Sequence, residues 1–184
     1  MALTVGTVRL NIGCGEYRMR AAGWVNVDEM KESAADLVLH VPPLPWETES
    51  VAEIYAGHFF EHLDHAEGAD FLDECYRVLQ PMGKLGLMVP DTREVMRRYI
   101  LNEPAPMEFP AGSHRDLRDL DACCSMLLFS TDQPSRHRWA YDKFTLTRAM
   151  KRAGFTDIVE FDRFNDPRVA VGAWYQFGLD CTKE

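Results

Sequence analysis

Apolar and polar positions alternate along the first stretch of the chain and then change period. Val8-Arg9-Leu10-Asn11-Ile12 alternates and halts at Gly13-Cys14-Gly15, which predicts a strand running into a glycine turn. Further strand patterns cover Trp24–Asp28, Ala35–His40, Val51–Gly57, Lys84–Val89, Ile158–Phe161 and Val169–Leu179. Helical spacing separates several of them. Asp64 and Glu67 form a capping-box pattern ahead of a stripe of Phe71, Leu72, Cys75, Val78 and Leu79, stopped by Pro81-Met82-Gly83. Asp91 and Glu94 repeat the capping box, opening a helix with Val95, Met96, Tyr99 and Ile100 inward. Leu146, Ala149, Met150 and Ala153 mark a third helix, with Gly154 as its C-terminal cap and Phe155 as the apolar partner.

The last two strands are too close for a crossover helix, so they predict an antiparallel hairpin. The fold class is therefore α/β, a mostly parallel seven-stranded sheet with a C-terminal antiparallel hairpin. Two stretches break the rhythm. Val41 to Trp46 holds three prolines and predicts a rigid loop. Residues 102–140 form an irregular insertion with a short helix over Leu117–Phe129 and a polar loop over Ser130–Arg138, expected to serve as a lid or acceptor-binding element. The domain reading is one domain over 1–184.

Composition narrows the function. The 184 residues are 46% hydrophobic and 27% charged, as in ordinary globular chains. A net charge of −9 without a basic cluster argues against a nucleic-acid footprint. No apolar run reaches membrane-spanning length, and the five cysteines are odd in number with no C-x-x-C pair. Reduced thiols in a cytoplasmic protein is the expectation.

The glycine turn is the first chemical signal. Gly13 and Gly15 lack Cβ atoms, so a ligand can lie against their backbone N–H groups; a simple tight turn explains them equally well. In a parallel sheet the strand ending at Asp28 would bring its carboxylate beside that turn, placed to accept from a ribose diol.

At this point the chain resembles the class I S-adenosylmethionine-dependent methyltransferases, in their compact bacterial form. Leu10-Asn11-Ile12-Gly13-Cys14-Gly15 resembles the family's glycine motif, and Trp24–Asp28 its second motif. Leu44-Pro45-Trp46 is similar to the loop beside the adenine, Cys75–Leu85 to the "RVLKPGGRL" stretch, and Lys151–Phe155 to the "xxAGF" ending. The resemblance implies a Rossmann-like sheet and S-adenosylmethionine as cosubstrate. It places Asn11, Gly13, Cys14 and Gly15 at the methionine end, Asp28 and Glu29 at the ribose, His40, Val41 and Leu44 at the adenine, and Gly57 and His58 near the methyl group. Three positions depart from the pattern. Asn11 replaces an acid, His40 stands where an acid commonly follows strand three, and Gly15 to Trp24 is too short for the usual helix.

The implied reaction is methyl transfer to a small-molecule or sugar-like acceptor, at oxygen before nitrogen. His58, His137 and Tyr141 are the candidate catalytic groups, with His58 or His137 as general base; core packing is the other reading of each. Arg115 and Arg118 would meet an anionic acceptor or be solvated. A non-catalytic cosubstrate-binding partner protein and a nucleic-acid methyltransferase are the alternatives. His58-Phe59-Phe60-Glu61-His62 also matches H-x-x-E-H of zinc peptidases, a function that the surrounding motif order opposes. Some methyltransferases hold a divalent metal on a similar E-x-x-E-H segment. With His58 at its first position and His137 added, such a site would favour zinc or another transition metal. The expectation is nonetheless that no metal is held and that Glu61 and His62 are framework.

Overall fold

The computed structural model describes residues 8–103, 106–108, 114–116, 136–161 and 175–184, with 106–108 and 114–116 described by backbone alone. The expected helix over Leu117–Phe129, most of the 130–138 loop and the start of the last strand lie outside these residues.

The strands are β1 (Arg9–Ile12), β2 (Trp24–Asp28), β3 (Leu37–Val38), β4 (Val51–Gly57), β5 (Leu79–Pro90), β6 (Pro106–Glu108), β7 (His114–Asp116), β8 (Thr156–Phe161) and β9 (Gln176–Thr182). Seven of them form one sheet in the order β3-β2-β1-β4-β5-β9-β8, while β6 and β7 pair separately. β1 pairs in parallel with β2 on one side and β4 on the other. β3 continues the parallel set beyond β2, and β5 continues it beyond β4. β9 runs antiparallel to both β5 and β8. The hairpin and the single reversed strand thus agree with the sequence pattern. Strand order reverses between β1 and β4, which opens a crevice at their carboxyl ends.

Helix α1 (His65–Val78) starts at the predicted capping box: Asp64 accepts from the Ala66 and Glu67 N–H groups, and Glu67 accepts from the Asp64 N–H. Its buried face is Gly68, Phe71, Leu72, Cys75 and Val78, which joins Leu85, Leu87 and Val89 of β5 in the core. Helix α3 (Lys143–Arg152; α2 is given below) ends in the expected motif. Gly154, at φ +100°, donates to Lys151 O, and the Phe155 N–H donates to Met150 O.

Four local expectations are corrected. The third strand shrinks to Leu37–Val38, an edge whose two residues are both exposed. β5 begins at Leu79 rather than Lys84, with a register shift taking up the Pro-Met-Gly stretch. Asp91 does cap helix α2 (Thr92–Ile100), accepting from the Glu94 N–H, but Glu94 does not complete the box: its carboxylate takes Arg97 and Arg98. Finally, α2 buries only Val95, leaving Met96 47% and Ile100 76% exposed. These two line an open cavity with Leu101, Tyr141 and Thr145, so the apolar stripe faces a hollow and not the core.

Candidate functional site

The turn after β1 is held from three directions. The Cys14 N–H donates to Val27 O, the Ala34 N–H donates to Gly15 O, and the Gly15 N–H donates to Asp28 Oδ2 at 2.7 Å. Asp28 Oδ1 accepts from the Met30 N–H at 2.9 Å, so this carboxylate organises the turn. The two glycines differ. Gly13, at φ +66°, has Phe59 where a Cβ would lie, at 2.7 Å; Gly15, at φ +54°, faces open space. Gly15 is therefore open on its Cα side, while Gly13 accommodates an aromatic ring. The Gly15 N–H and carbonyl are already taken by Asp28 and Ala34 and, contrary to the expectation from sequence, are not offered to a ligand.

No helix follows the turn; residues 16–20 are loop. A polar knot does the work of the missing element. Asn11 is buried, and its Nδ2 donates to Tyr17 O and to Asn26 Oδ1. Asn26 Oδ1 also accepts from the Met19 N–H at 2.7 Å, and its Nδ2 donates to Asp36 Oδ2 at 2.7 Å. Hydrogen bonds from the Asn26 backbone and then its side chain hold the Asp36 carboxyl below its ordinary range, and Arg18 pairs with it. Asn11 Oδ1 is buried with no hydrogen-bond partner.

On the adenine side, His40 is exposed and its Nδ1 lies 2.7 Å from Glu29 Oε2. Val41 and Leu44 are buried in the core. Their loop is clamped from α1: Glu74 accepts from the Leu44 N–H, and Arg77 donates to Leu44 O and Trp46 O. Neither clamp was singled out in the sequence, although Arg77 sits inside the "RVL" stretch.

Gly57 ends β4, and His58 follows at φ +52°, its N–H donating to Met88 O. Its Nδ1 is 3.2 Å from Glu61 Oε1 and its Nε2 is 2.8 Å from Gln176 Oε1. An imidazolium satisfies both contacts; a neutral ring satisfies them with the Gln176 amide turned over. Burial alone would raise the Glu61 pKa, but the His58 hydrogen bond and the charges of His58, His62 and His137 bring it down to about 2. Gln176, 118 positions away, gave no sequence signal.

The end of the insertion lies on the 3-10 turn Phe60–His62. The N–H groups of Arg138 and Trp139 donate to Glu61 O, and Arg138 pairs with Asp64 and Glu67. The His137 ring stands 5.0 Å from that of His62, and Trp139 meets His65 edge-on. Tyr141 stacks on Phe60 with centroids 4.8 Å apart. Its burial, then the charges of Glu61 and Asp64, raise its hydroxyl pKa. His58, Glu61, His62 and His137 thus converge, while Tyr141 lies in the core.

A family model described as a methyltransferase domain matches residues 22–87. Against curated proteins the sequence gives no match. Among solved structures, the chain is similar to an S-adenosylmethionine-dependent methyltransferase from Mesorhizobium loti, with 14% identity, 98% of this chain and 93% of that one covered, and a TM-score of 0.61. A methyltransferase from Archaeoglobus fulgidus gives 14%, 97%, 87% and 0.57. Phosphoethanolamine N-methyltransferase 2 of Haemonchus contortus, in complex with S-adenosylmethionine, gives 11%, 99%, 50% and 0.56. The matched segment, on a sheet of this order with this crevice, makes the chain similar in fold to S-adenosylmethionine-dependent methyltransferases. Among the described residues no helix is long and apolar enough to cross a membrane.

Proposed function

We propose that the protein transfers a methyl group to an ionisable hydroxyl of a small-molecule or sugar-like acceptor, with His58 as general base. The observation that carries this reading is the contact between His58 Nδ1 and the buried Glu61 carboxylate at the mouth of β4. A buried carboxylate fixes the imidazole and stabilises the imidazolium formed when Nε2 accepts a proton. The acceptor O–H would replace the Gln176 amide at Nε2. Its oxygen then attacks the sulfonium methyl in line, the C–S bond breaks toward sulfur, and S-adenosylhomocysteine leaves. The turn at Gly13–Gly15 would hold the methionine end, with Asn11 Oδ1 as a buried acceptor below it. Asp28 and Glu29 would take the ribose, and the loop from His40 to Leu44 the adenine.

Residues 102–140 would form the acceptor side of one domain, supported by the seating of 136–140 on the 3-10 turn. A cytoplasmic setting is supported by the free thiols of Cys75 and Cys181. Two measurements test the reading. Calorimetric titration of S-adenosylmethionine should show at least about tenfold weaker binding to Asp28→Ala, since a hydrogen bond to a charged group contributes about 1.5–3 kcal/mol. Release of S-adenosylhomocysteine should then be followed across phenols, sugars and amines for the wild type and His58→Gln. Turnover on hydroxyls, lost in His58→Gln, is expected. Turnover on amines alone, or none despite tight cosubstrate binding, would overturn the oxygen assignment or point to the non-catalytic alternative.

A further inference from the structure

We infer that the open cavity along helix α2 is a subsite for an unbranched alkyl chain carried by the acceptor. The inference rests on the reading of His58 as the place where the acceptor hydroxyl docks, and adds the chemistry of the remainder of that molecule. The cavity measures about 600 Å³, which is within the range of small-molecule sites.

A surface helix ordinarily turns its apolar stripe to the core, but α2 buries only Val95. Met96, Ile100 and Leu101 are left 47%, 76% and 57% exposed, and line the cavity together with Tyr141. Large apolar side chains exposed side by side mark a place that receives a ligand or a partner. The lining follows α2 from Thr92 to Leu101, about 13 Å at about 1.5 Å per residue. A trough of that length suits an extended chain, whereas a single flat ring would cover little more than one turn. Its rim carries no free charge. Arg93 pairs with Asp142, and Arg97 with Glu94 and Glu103, so an uncharged chain fits the lining better than an anionic one.

The trough is continuous with the candidate site. Pro90, the last residue of β5, pairs with Gln176, whose Oε1 lies 2.8 Å from His58 Nε2. The next residue, Asp91, donates its N–H to Tyr175 O, and the Thr92 N–H donates to Tyr141 O. Tyr141 belongs to both places, lining the cavity and stacking on Phe60 beside Glu61. The trough therefore opens at the carboxyl rim of the sheet, at Thr92, and runs away from it toward Ile100 and Leu101. An acceptor whose hydroxyl meets His58 Nε2 directs its far end along this path. A bare sugar has nothing to place there; an alkylated sugar or phenol does. Its chain would cover apolar surface that Met96, Ile100 and Leu101 now expose to water, and that burial is the driving force.

The test titrates 4-methyl-, 4-propyl- and 4-octylphenol calorimetrically into the full chain with S-adenosylhomocysteine present, and follows methyl transfer to the same series. Full burial of a methylene corresponds to about fourfold in affinity; in an open trough about twofold is expected, or about thirtyfold from propyl to octyl. Ile100→Glu and Met96→Glu, both at exposed positions, should each bring 4-octylphenol down to the affinity of 4-propylphenol. Met82→Glu, equally exposed but outside the cavity, should keep the wild-type slope. Affinity independent of chain length, or a slope unchanged in both α2 variants, would overturn the proposal. So would a dimer in sedimentation that Ile100→Glu separates, because a second copy of the chain would then be the occupant. Chain-dependent binding without methyl transfer would leave the subsite standing and remove the reading of the reaction. Methyl transfer to all three phenols at equal KM would do the reverse.

Discussion

Gly13 and Gly15 look interchangeable in the sequence, yet the structure predicts opposite consequences for adding one methyl group to each. Both have positive φ, so either alanine incurs about 1–2 kcal/mol of left-handed strain. At Gly13 the new Cβ would also sit 2.7 Å from Phe59 Cβ and Cδ2. The Phe59 ring cannot retreat freely, because it packs on Phe71 with centroids 5.2 Å apart. Overpacking of this kind adds about 1–3 kcal/mol. For a chain of this size about 1 kcal/mol moves the melting midpoint by about 2–4 °C. Gly13→Ala should therefore lower Tm by about 4–20 °C, and Gly15→Ala by about 2–8 °C. Affinity should reverse the order. The Gly15 Cβ would enter the open space assigned to the cosubstrate, so Gly15→Ala should lose S-adenosylmethionine binding more than its Tm loss suggests. Calorimetric melts and titrations of the two variants, with Gly13→Ala/Phe59→Ala as a relief variant, check both halves. Equal Tm losses, no favourable coupling in the double variant, or unchanged cosubstrate affinity in Gly15→Ala would refute the distinction.

Three further expectations concern the supports of the site. Arg77→Ala removes the donors to Leu44 O and Trp46 O, and should cost about 1.5–3 kcal/mol in denaturant unfolding. It should also weaken cosubstrate binding by freeing the loop that carries Val41 and Leu44. Asp36 is held below its ordinary carboxylate pKa by the Asn26 backbone and side chain, so its contribution is present above the unfolded value and fades as pH falls through the folded one. The stability gap between wild type and Asp36→Asn, measured by urea melts from pH 7 to pH 3, should narrow toward acid; a gap constant with pH would be the contrary result. Lys183→Met leaves the Leu79 carbonyl, now bonded to Nζ at 2.8 Å, buried without its donor. A loss of about 1–3 kcal/mol by calorimetry is expected, and an unchanged midpoint would count against it.

Much of the sheet was legible because its strands declare themselves locally. Leu10 and Ile12 alternate with polar neighbours, Asp64 and Glu67 cap in a four-residue frame, and Gly154-Phe155 ends a helix by its own geometry. What stayed hidden depends on partners far away in sequence. Met96 and Ile100 have helical spacing, but the spacing does not reveal that the face they share meets a hollow beside Tyr141. Asn26 reads as one polar residue in an apolar strand, and only the folded chain shows it holding Asn11, Met19 and Asp36 together. At the site, Gly13 and Asp28 were recognisable as types, whereas Phe59 beneath the turn and Gln176 on His58 arise from contacts across the sheet.

The placement of β9 has a consequence for how the chain is made. Ribosomes deliver β5 long before β9, yet β9 lies between β5 and β8, pairing Leu85 with Cys181 and Val159 with Asp180. Until residues 176–182 emerge, β5 and β8 each present an unpaired edge, and an exposed apolar edge is a template for strands of other chains. A nascent or prematurely ended chain is thus incomplete one strand in from the sheet's margin, which leaves β8 without its neighbour. Vulnerability to aggregation should be concentrated in that interval of synthesis, and it closes in one step when the last strand slides in.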